Sequence, residues 1–75
     1  MNKNEIDAFN DVIDSSMDLI TGVVSIKSLC KLLVTNPQNR DFTLEELSKC
    51  AEKIETIFTE YKNAVLVAIQ ETDKE

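Results

Sequence analysis

Histidine and tryptophan are absent from this 75-residue chain, which holds one glycine, one proline and two cysteines. Without histidine, the commonest general base and the commonest neutral metal ligand are both missing. Cys30 and Cys50 alone cannot close a four-ligand zinc site, and two cysteines are too few for a disulfide-stapled scaffold. With Gly22 as the one glycine, no Gly-rich phosphate loop can be built. The single arginine, Arg40, and a net charge of -6 argue against wrapping a nucleic-acid backbone, which requires clustered cations. No cofactor and no metal site are expected. The longest wholly apolar run, Ala64 to Ile69, falls far short of a membrane span. The first residues, Met1 to Asp7, lack the basic-then-apolar profile of a signal peptide, so the expected compartment is the cytoplasm, with reduced thiols. Secretion without a cleaved signal stays open.

What is present is 43% hydrophobic and 29% charged. That is too apolar for a disordered chain and too poor in turn formers for an all-β one. The pattern predicts an all-α fold: an antiparallel helical hairpin forming one domain over residues 1–75. Helix 1 is expected over about 4–34, a loop over 35–42 and helix 2 over about 44–70. Pro37 cannot continue a helix and pushes Asn36 out of the α region. Thr43 with Glu46 three residues on reads as a capping box, and Phe42 with Leu47 as a hydrophobic staple. From there Leu44, Leu47, Ala51, Ile54, Phe58, Tyr61, Val65 and Ala68 alternate spacings of three and four, as a packed helix requires. Cys50, Ile57 and Ala64 widen that stripe, and Phe58 and Tyr61 are expected to pack in the core, facing Phe9.

Helix 1 is less regular. Ile6, Phe9, Val12, Ile13, Leu19, Ile20 and Val23 share one face, and Asp7, Asp11, Asp14 and Asp18 line the other. Their offsets of 4, 7 and 11 residues nearly superimpose at 3.6 residues per turn. After Gly22 the apolar centre drifts, and Leu29 and Leu32 fall where the aspartates ran. A long bent helix is expected, with a break near 15–22 as the alternative.

Leu29, Leu32, Leu66 and Val67 lie off the main stripes. Each such side chain is worth about 1.5–3 kcal/mol when buried. They are therefore expected to form an oligomer interface, most simply in a homodimeric four-helix-type bundle. Asp is a poor helix former, and like charges one turn apart repel by a few tenths of a kcal/mol. The row Asp7, Asp11, Asp14 and Asp18 is thus a candidate docking face for a basic protein, against the plainer reading of a solvated surface. Cys30 and Cys50, near one level of the hairpin, are read as reduced apolar fillers.

Asn36-Pro37-Gln38-Asn39 between two helices, with Ala68-Ile69-Gln70 near the end, resembles the helix–Pro-loop–helix of type III secretion needle subunits over roughly half the chain. Arg40 stands where those subunits carry a second loop proline, and their usual N-terminal tryptophan is missing. The resemblance implies a self-assembling filament subunit, which is the rival to a small non-enzymatic regulator, inhibitor, antitoxin-like or chaperone-like protein acting on another protein.

Overall fold

In a computed structural model, the chain is an all-α hairpin, and residues 1–74 are described. Helix α1 runs unbroken over Lys3–Thr35 and helix α2 over Arg40–Asp73. Between them only Asn36 and a single 3-10 turn, Pro37–Asn39, reverse the chain. The rod measures 57 × 15 × 12 Å.

The start of α1 is fixed by a reciprocal cap. The Asn2 side-chain oxygen accepts from the Glu5 backbone N–H at 2.8 Å, and the Asn2 N–H donates to Glu5 Oε1 at 3.5 Å. This uses the same side-chain logic expected at Thr43, one helix earlier. At Thr43 the expectation is corrected. The 3-10 turn after Pro37 lets α2 begin at Arg40, so Thr43 already lies inside the helix. Its hydroxyl donates one turn back to the Asn39 carbonyl at 3.0 Å, and the residue is buried. Phe42, read as half of a staple, is exposed.

Gly22 fixes the register. A Cβ placed there would sit 2.7 Å from Ile54 Cγ1, so the missing side chain lets α2 approach α1 closely. Counting outward along two antiparallel helices brings Ala8 level with Ala68, and Leu33 level with Thr43. The inward-facing residues of α1 are Glu5, Ala8, Val12, Ser15, Leu19, Gly22, Ile26, Leu29 and Leu33, all buried or half-buried. Their spacing alternates three and four without a miss, which is a coiled-coil seam. On α2 the matching seam is Thr43, Leu47, Cys50, Ile54, Ile57, Tyr61, Ala64 and Ala68.

One sequence expectation holds here and one changes. First, helix 1 runs unbroken through 15–22, as the long-helix expectation had it. Ala8, Ser15 and Gly22 occupy seam positions, so the larger apolar side chains beside the seam mask it in the sequence. That flanking row ends at Val23, and the apolar centre therefore shifts past Gly22 onto the seam residues Ile26, Leu29 and Leu33. Second, α2 turns toward its partner with the Cys50, Ile57 and Ala64 side of the apolar stripe. Leu44, Ala51 and Phe58 stay exposed beside the seam. Phe58 keeps a stacked contact with Tyr61, centroids 6.4 Å apart, and Lys62 sits 5.9 Å over its ring. The register separates Phe58 from Phe9 by more than two helical turns, so the two do not meet.

Candidate functional site

Two helices alone leave much of their surface uncovered, and the hairpin sorts that surface by chemistry. Viewed along the rod, the outward positions on one side of the seam are acidic. Asp7, Asp11, Asp14 and Asp18 all lie there, exposed, on a single line of α1. The structure therefore gathers the predicted aspartates on one face. It also adds one carboxylate that was not expected, Glu60. Asp11, Asp14 and Asp18 border a shallow groove shared with Glu60 of α2, and Asp18 and Glu60 continue into a second groove beside Gly22, where Lys53 is the basic member. The signal for Glu60 was in the sequence: it flanks the seam at the position facing the aspartates, legible only once the true seam of α2 is known. Ion pairs among the described residues all lie in α2 or at its C-terminal cap, at Lys49–Glu45, Lys49–Glu46 and Lys74–Glu71, and none involves the four aspartates.

The opposite long side is apolar. On α1, Ile6, Phe9, Ile13, Ser16, Ile20 and Val23 follow one residue behind the buried seam and repeat its three-four spacing. Ile6, Ile13, Ile20 and Val23 are 45%, 54%, 63% and 51% exposed. On α2, Leu44, Ala51, Phe58 and Val65 flank the seam at seven-residue intervals on the same side. In an antiparallel pair these flanking positions of the two helices face each other, as the acidic grooves show for the other flank. No charged residue interrupts the α1 row from Ile6 to Val23.

The four residues expected at an oligomer interface are divided. Leu29 lies half-buried in the hairpin's own seam. Leu32, Leu66 and Val67 are exposed, but Leu32 sits near the loop end of the rod and Leu66 and Val67 near the other. They do not make one surface. Both cysteines are free: Cys50 is half-buried opposite Ile26, and Cys30 is exposed at the loop end of the apolar flank.

Among the described residues, no cluster of three or more His, Cys, Asp or Glu side chains is placed to hold a metal ion. No described helix is long and apolar enough to cross a membrane. Comparison with family models, curated proteins and solved structures finds no significant match to this chain.

Proposed function

We propose that this protein is a non-enzymatic binding protein of the small regulator or accessory type, working in the cytoplasm with reduced thiols. The observation that supports the reading is the division of a two-helix rod into one acidic and one apolar long face. Each face extends over several turns, which suits contact with another macromolecule better than enclosure of a small substrate. The hydroxyls of Thr21, Ser25 and Thr56, which line the groove beside Gly22, each donate to a backbone carbonyl one turn back.

The acidic face, with Asp7, Asp11, Asp14 and Asp18, receives a basic protein. Aligned carboxylates accelerate encounter with a cationic surface and make the association sensitive to salt. Replacing Asp11 and Asp14 together with Asn tests this. Both side chains are exposed, so helicity by circular dichroism should not fall. Capture of basic proteins from native lysate should weaken, with the remainder less dependent on salt. Equal capture by both forms would remove the docking role. The rival, a polymerising subunit, draws on the apolar face, and mass that climbs without limit in light scattering would favour it.

A further inference from the structure

We infer that the apolar face is the seat of a second copy of this chain, and that two hairpins close face to face into a four-helix bundle with their acidic faces outward. The inference rests on reading the apolar face as a binding surface and is independent of what the acidic face binds.

The first ground is pattern. A coiled-coil seam repeats at three-four spacing because another helix lies along it. Helix α1 carries two such seams, offset by one residue. Leu19, Ile26 and their heptad partners meet α2. Ile6, Phe9, Ile13, Ile20 and Val23 repeat the same spacing roughly a quarter-turn round the helix; Phe9 is half-buried, while the other four stay about half exposed. A quarter-turn is the angle between the two neighbours of a helix in a four-helix bundle.

The second ground is area. The chain exposes 5714 Å², whereas a monomeric protein of its 8.5 kDa exposes about 4,700 Å². The excess of about 1,000 Å² exceeds the roughly 800 Å² that each partner contributes to a standard interface. The rod's own dimensions agree, since a long side of 57 × 15 Å offers a patch of that order.

The third ground is charge, and it selects the partner. The chain's net charge is -6, so two copies repel unless their acids are kept apart. Face-to-face closure does this, because Asp7, Asp11, Asp14 and Asp18 lie on the far side of each hairpin. It also ends assembly at two. A filament would need a second apolar face to continue, and that side of the rod is the acidic one. Closed two-fold pairs built from one self-complementary patch are the commonest homo-oligomers.

Sedimentation equilibrium of the full chain tests the proposal, with Phe58→Glu, Ile20→Glu and the Asp11/Asp14→Asn pair alongside. Phe58 and Ile20 are 50% and 63% exposed, so neither change empties the hairpin's own core. The wild type and the Asn pair should sediment as dimers at tens of micromolar. Each glutamate, buried unpaired in the new interface, should weaken dimerisation about a hundredfold while helicity in the monomer persists. A wild-type monomer at that concentration would overturn the proposal, as would a dimer that both glutamates leave intact. If the monomeric wild type still bound a hydrophobic dye that Phe58→Glu abolished, the face would remain a binding surface for some other chain. Loss of dye binding as well would sink both readings.

Discussion

Gly22 is where one side chain decides how close the helices come. In an exposed helix interior, Gly→Ala stabilises by about 1 kcal/mol. Here the added methyl meets Ile54 Cγ1 at 2.7 Å and Cδ1 at 3.0 Å, and Ile is stiff at χ1. Overpacking of this kind costs about 1–3 kcal/mol. Gly22→Ala should therefore be neutral to destabilising by up to about 2 kcal/mol in chemical denaturation, and stabilising by about 1 kcal/mol in an Ile54→Ala background. The same gain in both backgrounds would mean that the helices do not touch there. A second residue-scale prediction separates the two caps. Asn2→Ala, which removes the acceptor for the Glu5 N–H, should cost about 1 kcal/mol. Thr43→Val keeps shape, removes only a back-bond to Asn39, and should cost less than about 0.5 kcal/mol. A loss at Thr43 as large as that at Asn2 would restore its reading as a cap. Both sites carry a short polar residue with Glu three positions on, so local pattern alone could not rank them. What decided between them was the tight turn at Pro37, which starts α2 four residues earlier than the polar loop suggests.

At the scale of the helices, most of the architecture was legible. Pro37 marked the reversal, the amphipathic runs marked two long helices, and the aspartates fell on one line. What could not be read was which of two adjacent apolar stripes each helix turns inward. On α2 the choices were the stripe through Leu44, Ala51 and Phe58 and the stripe through Cys50, Ile57 and Ala64; both include Leu47, Ile54 and Tyr61. On α1 the inner stripe holds Ala8, Ser15 and Gly22, and the outer one Phe9, Ile13 and Ile20, so hydrophobicity alone favours the wrong one. Close approach favours the small residues, because they let the helix axes draw together and the larger seam residues interlock. This gives a contrast to measure. Leu19 lies half-buried in the inner seam, and Leu19→Ala should lower stability by about 1–3 kcal/mol at every protein concentration. Ile20 is one residue away and exposed. Ile20→Ala should lower the melting temperature only at concentrations where the wild type is dimeric, since its loss is felt through association. Thermal scans over a hundredfold dilution series would show the two curves separating, and a concentration-independent loss at Ile20 would place it in the hairpin core.

For the molecule as a whole, shape and surface chemistry follow from the same scarcity of interior. Two helices make one seam, and one seam cannot shelter the chain's apolar residues; among the described residues no large side chain is fully buried. The Cα radius of gyration is 16.9 Å, where a compact chain of this length would have about 11 Å. A rod with one greasy side and one acidic side is completed by pairing the greasy sides, leaving carboxylates on both outer surfaces to meet basic partners. Small-angle scattering from the intact chain at tens of micromolar reads this most directly, because it reports mass and dimension together. Side-by-side pairing adds width without adding length, so the forward scattering should correspond to two chains while the radius of gyration stays close to the single hairpin's 16.9 Å. Forward scattering of one chain, or a radius that grows with concentration as rods join end to end, would contradict it.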